Sequence, residues 1–346
     1  MPVHITLTNL SKQETYAPFI CEDGQSILEA ASKAGYLMPY SCRNGACGSC
    51  KGNLLNGAVD YGNHQAQQLT EEEKAAGKAL FCCAKPQSDC SISVREVRKS
   101  SDAPLKKLPA RVDQLDKVTH DVMRVVLKLP ANEQLQYQAG QYVDILMRDG
   151  KRRSFSIANA PHTGAHIELH IRHLPNGAFT EPLFTTGKVK DIWRFEGPHG
   201  SFYLREDSDK PMIMLCSGTG FAPIKAIIEH SLEKQYFRPM VVYWGGRRPS
   251  DLYDAALVAQ WAQAHPHISF VPVISEAKIE DAWQGRQGFV HHAVMEDFPD
   301  LSGYEVYACG VPIMVDSAKK DFVAKCRLPE DAFYADAFTV AGESGQ

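Results

Sequence analysis

Several features that would mark a membrane or exported protein are missing from this sequence. No apolar run reaches the roughly 18 residues that a membrane-spanning helix needs, and residues 1–5 lack the basic and then apolar region of a secretory signal. The net charge is only -4, with 37 Lys and Arg against 41 Asp and Glu, so no basic excess indicates nucleic acid. These absences predict a cytoplasmic protein that binds neither membranes nor nucleic acid.

Cysteine, by contrast, is abundant, with ten residues in a chain of 346. Without an export signal these thiols are expected to remain reduced and able to bind metal, because disulfides form mainly in exported proteins. The chain is also longer than one hydrophobic core usually allows, so we expect two or three domains.

The most informative pattern is a cysteine loop. Cys42, Cys47 and Cys50 follow the spacing C-x4-C-x2-C with mostly small residues between them, and Cys82 follows further along the chain. Plant-type [2Fe–2S] ferredoxins hold their two irons by four thiolates with this spacing. Small residues also let backbone N–H groups approach the cluster sulfurs. We therefore predict that these four cysteines bind a [2Fe–2S] cluster and that the loop carries electrons.

The fourth ligand and the identity of the metal have alternatives. Cys83 competes with Cys82, but the sequence Leu-Phe-Cys-Cys-Ala-Lys-Pro at residues 80–86 resembles the ferredoxin pattern Leu-Thr-Cys-x-Ala-x-Pro. This resemblance selects Cys82 and leaves Cys83 as a small buried hydrophobe. A structural zinc site in a binding module without redox activity is the other interpretation, although zinc sites usually pair two C-x2–4-C knuckles.

The segments around the loop predict a ferredoxin-type α+β half-barrel over residues 1–98. Ser26 and Glu29 form a capping-box pattern at the start of a helix that Gly35 ends. Polar and basic residues then predict a linker over residues 99–107. The expected strands lie at 3–7, 16–20, 51–57 and 90–94, and a second short helix begins after Thr70.

From residue 108 onwards, strands recur at regular spacing. Six strands in about a hundred residues predict a closed antiparallel β-barrel over residues 108–208. The expected strands lie at 110–115, 122–129, 141–147, 154–157, 166–172 and 191–196.

One of these strands carries Arg153-Ser154-Phe155-Ser156, which resembles the R-x-Y/F-S motif of the ferredoxin-NADP reductase superfamily. The barrel of that superfamily holds a flavin. The resemblance implies that Arg153 pairs with the flavin pyrophosphate, that Phe155 stacks on the isoalloxazine ring and that Ser156 lies near flavin N5. These residue types suit such roles, because a guanidinium grips phosphate by two hydrogen bonds and an aromatic face covers an aromatic ring.

Residues 170–180 resemble the second flavin segment of the same superfamily and supply His170 and Arg172 as further cofactor-binding candidates. The resemblance implies that Gly177 and Thr180 place a helix N-terminus under the pyrophosphate, where aligned N–H groups favour an anion. A pyrophosphate site favours FAD over FMN.

The third region, residues 209–346, is predicted to be a doubly wound parallel sheet that binds NAD(P). It begins with an apolar run at 212–217, typical of a buried parallel strand. The following loop contains the nucleotide-binding candidates Gly218, Thr219, Gly220 and Pro223. It resembles the G-T-G-x-A-P loop of the superfamily rather than the G-x-G-x-x-G loop of an ordinary Rossmann dehydrogenase. Further strands are expected at 240–244, 268–274 and 305–308, alternating with helices at 224–233, 255–264, 291–296 and 313–326.

Three more positions complete the predicted nucleotide site. Cys309 and Gly310 end a predicted strand, and the resemblance implies that they border the nicotinamide, although Cys309 could instead be a small buried residue. Phe338 belongs to a terminal segment that resembles the same reductases. Arg247 and Arg248 stand where the 2′ position of the nucleotide is read, which leaves NADH and NADPH open, with NADH favoured by the family resemblance.

Other metal-binding residue types show no ligand spacing. The pair His291-His292 is interpreted as surface or capping residues. Five thiols are likewise unassigned to a metal: Cys21, Cys90, Cys216, Cys309 and Cys326.

With its three regions in this order, nearly the whole chain resembles the CDP-6-deoxy-Δ3,4-glucoseen reductases. Phenol hydroxylase and terephthalate dioxygenase reductases share the same motifs. The resemblance implies that a hydride passes from NADH to FAD N5 beside Cys309, and that single electrons then cross the cluster to a separate acceptor protein docked over the cysteine loop. The alternative acceptor is the oxygenase component of a multicomponent dioxygenase or monooxygenase.

Overall fold

The computed structural model describes residues 2–102 and 104–338, which form two compact units, one up to residue 105 and one from residue 106 to residue 338. Within these described ranges, no helix combines the length and the hydrophobicity needed to cross a membrane.

The first unit is a mixed sheet packed on a helix. The main sheet has the order β2-β1-β9-β5-β7 with β3 on the outer side of β1, and β1 and β9 are parallel. The strands of this unit are β1 (Val3–Asn9), β2 (Glu14–Thr15), β3 (Phe19–Cys21), β4 (Tyr36–Leu37), β5 (Lys51–Asn56), β6 (Val59–Asp60), β7 (Lys78–Leu80), β8 (Lys85–Pro86), β9 (Cys90–Val94) and β10 (Arg98–Lys99). Outside the main sheet, β4 pairs with β10 and β6 pairs with β8. The helices are α1 (Ile27–Lys33) and α2 (Glu71–Ala75).

Both helices of this unit begin with a capping box. Ser26 and Glu29 satisfy each other's backbone N–H groups at α1, as predicted, and Thr70 and Glu73 do the same at α2. Gly35, with φ of 88°, follows α1 in the left-handed conformation that ends many helices. The core beneath α1 consists of fully buried side chains such as Ile5, Leu7, Ile27, Phe81 and Ile92.

The second unit begins with an antiparallel barrel of order β14-β13-β16-β11-β12-β15. A bridge between Ile157 and Leu169 closes it, because it joins the end of β14 to β15. The strands are β11 (Lys106–Lys117), β12 (Val122–Lys128), β13 (Tyr142–Leu146), β14 (Arg152–Ser156), β15 (His166–Arg172) and β16 (Ile192–His199), and α3 (Thr180–Thr185) lies between the last two. The six predicted barrel strands are therefore all present, and β11 begins inside the predicted linker.

The rest of the second unit is a parallel sheet of order β20-β19-β18-β17-β21-β22. Its strands are β17 (Met212–Ser217), β18 (Met240–Gly246), β19 (Ile268–Ile274), β20 (Arg286–Gln287), β21 (Glu305–Gly310) and β22 (Phe333–Ala337). Its helices are α4 (Phe221–Glu233), α5 (Ala255–Ala264), α6 (Val290–Asp297) and α7 (Pro312–Lys325). Short β20 and edge strand β22 were not predicted. The other strands and all four helices match the predicted alternation. In the core of this sheet, the rings of Phe221 and Trp244 are stacked with centroids 4.1 Å apart.

Candidate functional site

The four predicted cluster ligands lie together as two pairs of thiols. Cys50 Sγ lies 3.1 Å from Cys82 Sγ. The side chains of Cys42 and Cys47 are hydrogen-bonded to each other, and the backbone N–H of Cys42 also donates to Cys47 Sγ over 3.5 Å. Two irons held by four thiolates require two sulfur ligands for each iron. The donor set of this loop therefore fits a [2Fe–2S] cluster.

Cys83 lies next to these ligands but is not the buried residue that we expected. Its side chain is partly exposed, and its Sγ lies 3.5 Å from Cys82 Sγ. A Cβ on Gly45 would lie 2.8 Å from Cys83 Sγ and 2.9 Å from His64 Cα, and Gly45 has φ of 76°. Both the space and the backbone conformation therefore require glycine at this point of the cysteine loop.

The flavin-motif strand β14 carries one arginine that has no acidic partner among the described residues. Arg152 pairs with Glu196 and lies 3.5 Å from Asp144. Arg153, on the opposite side of the strand, donates to the carbonyl oxygen of Arg152 over 2.8 Å and contacts no carboxylate among the described residues. Its guanidinium can therefore accept a phosphate. Phe155, also partly exposed, packs at 5.4 Å from the ring of Phe179.

The second predicted flavin segment forms a closed turn before α3. Thr180 Oγ1 accepts a hydrogen bond from the N–H of Leu174 and donates one to its carbonyl oxygen, both over 3.0 Å. A Cβ on Gly177 would lie 2.8 Å from that same carbonyl oxygen, so no larger residue fits there. The side chain of Arg172 extends towards the nucleotide loop, where its Nη1 would lie 2.9 Å from a Cβ on Gly218.

His170 makes a different contribution from the one we predicted. Its side chain is fully buried, with Nε2 2.7 Å from Glu168 Oε1 and Nδ1 2.8 Å from Tyr253 Oη. Tyr253 precedes α5 in the parallel sheet, so the histidine connects that sheet to the barrel. Both ring nitrogens of His170 therefore have protein partners.

Charged residues reinforce this connection between barrel and sheet. Arg124 donates to both carboxylate oxygens of Asp254 over 2.6 and 2.7 Å. Lys225, on α4, lies 3.4 Å from Glu168. Although burial opposes ionisation of Glu168, the hydrogen bond from His170 and the charges of Lys225 and Arg124 lower its pKa to about 2. Sequence patterns did not reveal this network, because its members come from four separate elements.

The nucleotide loop packs directly against the end of β21. A Cβ on Gly220 would collide with the carbonyl oxygen of Cys309, and a Cβ on Gly310 would collide with Ser217 Oγ. Gly310 also has φ of 138°. Thr219 lies partly exposed in this loop, and Pro223 is buried in the first turn of α4. Glycine is therefore needed where the two backbones approach each other.

The two predicted catalytic residues meet through a third residue. Ser156 Oγ donates to Asp336 Oδ2 over 3.4 Å, and Asp336 stands opposite Cys309 in the pairing of β22 with β21. Burial, together with the charge of Asp336, raises the pKa of Cys309 far above its usual value, so its thiol stays protonated. Phe338, next in the chain after β22, donates its N–H to the carbonyl oxygen of Gly310 over 2.8 Å. Asp336 was missed as a site residue because β22 was not predicted.

The two arginines near the 2′ position differ in their partners. Arg248 donates to both oxygens of Asp281, over 2.7 and 2.6 Å, and to Glu280. Arg247 is exposed, and within residues 2–102 and 104–338 only its backbone makes hydrogen bonds. Arg247 is therefore the one of the pair whose side chain can meet a nucleotide.

Comparison with known proteins agrees with all three regions. Residues 13–87 match the 2Fe-2S iron-sulfur cluster binding domain, residues 109–203 the oxidoreductase FAD-binding domain, and residues 214–320 the oxidoreductase NAD-binding domain. These matches lie inside the predicted ranges 1–98, 108–208 and 209–346. Together they define an iron–sulfur flavoprotein that binds a [2Fe–2S] cluster, FAD and a nicotinamide nucleotide.

Full-length relatives narrow this class. The chain is 41% identical over 320 residues to the CDP-6-deoxy-L-threo-D-glycero-4-hexulose-3-dehydrase reductase of Yersinia pseudotuberculosis, covering 92% of this chain and 95% of that protein. It is 32% identical over 344 residues to the phenol 2-monooxygenase reductase component of a Pseudomonas species, covering 98% and 96%. A crystal structure of the Amycolatopsis cytochrome P450 reductase GcoB is 34% identical and superposes with a TM-score of 0.77 over 98% of this chain and 99% of that one.

The chain belongs to this family of ferredoxin-containing NAD(P)H-dependent reductases. Relatives in it are named as a hexulose dehydrase reductase, as the reductase subunit of an aromatic O-demethylase and as the reductase component of a phenol monooxygenase.

Proposed function

We propose that this reductase passes electrons from NADH to the dehydrase of a CDP-6-deoxy-4-hexulose system. Similarity to the Yersinia reductase, which extends over all three domains, is the observation that supports this acceptor. The acceptor docks over the cysteine loop of residues 42–50, where Cys42 is partly exposed. Delivery to an oxygenase is the second candidate, because relatives at 32% to 38% identity are components of monooxygenase, dioxygenase and demethylase systems.

Residues of β14 and the turn before α3 hold the flavin in this proposal. Arg153 pairs with the pyrophosphate, since its guanidinium has no carboxylate partner among the described residues. Phe155 lies against the ring system, and Gly177 and Thr180 shape the turn beneath the phosphates. His170 and Arg172 orient the parallel sheet against the barrel through Tyr253 and Gly218, and we assign His170 to this role rather than to direct cofactor binding.

The ends of β17 and β21 hold the nucleotide. Gly218, Thr219 and Gly220 let the pyrophosphate approach the N-terminus of α4, where the helix dipole favours an anion. Cys309 and Gly310 border the nicotinamide, with the neutral Cys309 thiol adding no charge beside it. The hydroxyl of Ser156 faces the flavin, and its hydrogen bond to Asp336 orients this hydroxyl. Phe338 packs at the same edge, and Arg247 extends towards the adenosine end of the nucleotide.

FAD and the [2Fe–2S] cluster have different roles in electron transfer. FAD, when bound, converts the two-electron chemistry of NADH into the one-electron chemistry of a [2Fe–2S] cluster. Cys42, Cys47, Cys50 and Cys82 hold that cluster, and the exposed side of their loop faces the acceptor.

Anaerobic titration with NADH and with NADPH, followed by visible and electron paramagnetic resonance spectra, tests these assignments together. We expect bleaching of flavin and iron–sulfur absorption and the signal of a reduced [2Fe–2S] cluster, at lower concentrations of NADH than of NADPH. Purified protein without flavin or iron–sulfur absorption would instead support the zinc-binding module. Reductase-dependent turnover with a purified dehydrase, and with an oxygenase as the comparison, distinguishes the two acceptors.

A further inference from the structure

Helices α6 and α7 bring together a histidine pair and a carboxylate that the redox function does not use. His291 and His292 lie in the first turn of α6, and Asp321 lies on α7. One ligand atom of each of the three residues lies within 4.8 Å of the other two. His291 Nε2 is 3.7 Å from Asp321 Oδ2. The sequence interpretation of this histidine pair as surface or capping residues is therefore wrong for His291, which is buried.

The three side chains are partly held in place by their neighbours. The rings of His291 and His292 have centroids 4.2 Å apart, and the ring of Phe289 packs against both, at 6.1 Å from His291 and 5.8 Å from His292. His292 is exposed, whereas the Asp321 side chain is 16% exposed. Burial, and then the nearby charge of His292, lowers the pKa of His291.

The spacing suits a small cation with nitrogen and oxygen ligands. Zinc–nitrogen and zinc–oxygen bonds of about 2.0–2.2 Å place tetrahedral donors roughly 3.3–3.5 Å apart. The 3.7 Å separation of His291 Nε2 and Asp321 Oδ2 is only slightly longer. Lys325 pairs with the other carboxylate oxygen, Asp321 Oδ1, over 2.9 Å and is itself 60% exposed, so it leaves Oδ2 directed at the histidine.

A second cluster of possible metal ligands lies in the barrel, but the charges of its carboxylates are already neutralised by cationic side chains. Asp144, Glu196 and His199 also have ligand atoms within 4.8 Å of one another, and all three are buried. Arg152, however, bridges both carboxylates, and Lys107 lies 3.1 Å from Glu196. Two cations already neutralise this barrel cluster, so a metal ion would have to displace them.

We propose that His291, His292 and Asp321 form a binding site for a late first-row divalent cation such as Zn²⁺, distinct from the [2Fe–2S] ligands. Two imidazoles and one carboxylate are ligands that such cations prefer, and water completes the coordination shell. The bound ion joins α6 to α7, and α7 begins at Pro312, two residues after Gly310 in the nucleotide site. The site therefore stabilises the part of the sheet on which the nicotinamide loop is built.

Equilibrium dialysis of the oxidised holoprotein against buffered Zn²⁺ tests this site, with zinc, iron and flavin measured on the same sample. We expect the wild-type protein to bind one equivalent of zinc that His292→Asn and Asp321→Asn each bind at least about tenfold more weakly. His120→Asn is the matched control, because exposed His120 also lies beside a carboxylate, Asp121 Oδ1 at 3.8 Å, but has no third ligand among the described residues. Equal zinc binding by all four proteins, or no zinc bound by the wild type, would overturn the proposal.

A second probe reports the ligands directly. Cu²⁺ added to the oxidised wild-type protein should show electron paramagnetic resonance couplings from two imidazole nitrogens, since an oxidised [2Fe–2S] cluster has no such signal. His292→Asn, which replaces an exposed side chain, should show coupling from one imidazole. Identical nitrogen couplings in the two proteins would exclude His292 as a ligand and contradict the site.

Discussion

The hydroxyl of Ser156 donates a hydrogen bond to the carboxylate of Asp336 over 3.4 Å, although the two residues lie 180 positions apart in the chain. Ser156 ends a barrel strand, whereas Asp336 lies on the edge strand of the parallel sheet, opposite Cys309. This contact therefore joins β14, the strand assigned to the flavin, to β22, the neighbour of the strand that carries Cys309. We expect the flavin and the nicotinamide to meet beside this contact.

Replacing Asp336 should slow the reduction of the flavin more than it weakens nucleotide binding. Asp336→Ala removes the acceptor that orients Ser156, and misplacing a group at a reacting centre can lower a rate by about a hundredfold. Stopped-flow measurement of flavin absorbance with NADH gives the rate and the dissociation constant separately. Ser156→Ala and the double variant complete a mutant cycle, in which we expect the effects to be less than additive. Additive effects would show that the two side chains act independently.

Replacing Cys82 should separate the two redox functions. Cys82→Ser removes one of the two thiols in the Cys50–Cys82 pair, so we expect loss of the cluster and of electron delivery to one-electron protein acceptors. Reduction of a dye that takes electrons from the flavin should continue at nearly the wild-type rate. Cys83→Ser is the control and should keep its iron. Loss of the dye activity together with the cluster would contradict the modular arrangement.

Replacing Arg247 should change the choice between nucleotides. Of Arg247 and Arg248, only Arg247 has a side chain without an acidic partner among the described residues, so we expect Arg247→Gln to lower kcat/KM for NADPH by about tenfold and that for NADH by less. Steady-state kinetics with a dye acceptor measures both values. Arg248→Gln is the control, because Arg248 is already paired with Asp281. Equal losses for both nucleotides would show that Arg247 does not read the 2′ position.

Glu168 should make stability depend on pH in the acidic range. Its pKa is about 2 in the folded protein against 4.5 for an ordinary glutamate. The ionised carboxylate therefore contributes stability that is fully present above pH 4.5 and is lost as the pH falls towards 2, amounting to about 2–4 kcal/mol. Glu168→Gln should lower the free energy of unfolding at pH 7, and the difference from the wild type should shrink with acidification.

Chemical denaturation at several pH values measures this difference. Glu280→Gln is a suitable control, because its carboxylate is 71% exposed and its ion pair with Arg248 contributes little. A difference between Glu168→Gln and the wild type that stays constant from pH 7 to pH 3 would contradict the lowered pKa.

Much of the fold could be predicted because its signals are local. The capping box of Ser26 and Glu29, the apolar run of β17 and the regular spacing of the barrel strands each depend on residues close together in the chain. Short pairings such as β4 with β10 leave almost no local pattern, since two residues are too few to show alternation. Strand β22 was also missed, because it is defined by its pairing with β21 at the edge of the sheet and not by a local pattern.

The sequence by itself determined the fold class, the cofactors and the family, and it predicted the four cluster thiols, because the spacing of cysteines and glycines limits which ligands a loop can hold. Only the tertiary structure decided which of these residues meet. It placed Asp336 between Ser156 and Cys309, and it bonded both ring nitrogens of His170 to protein partners. It also left Arg247 without a side-chain partner in the described ranges and brought two helices together at His291 and Asp321. Such contacts arise when distant strands and helices pack together, and no local pattern records them.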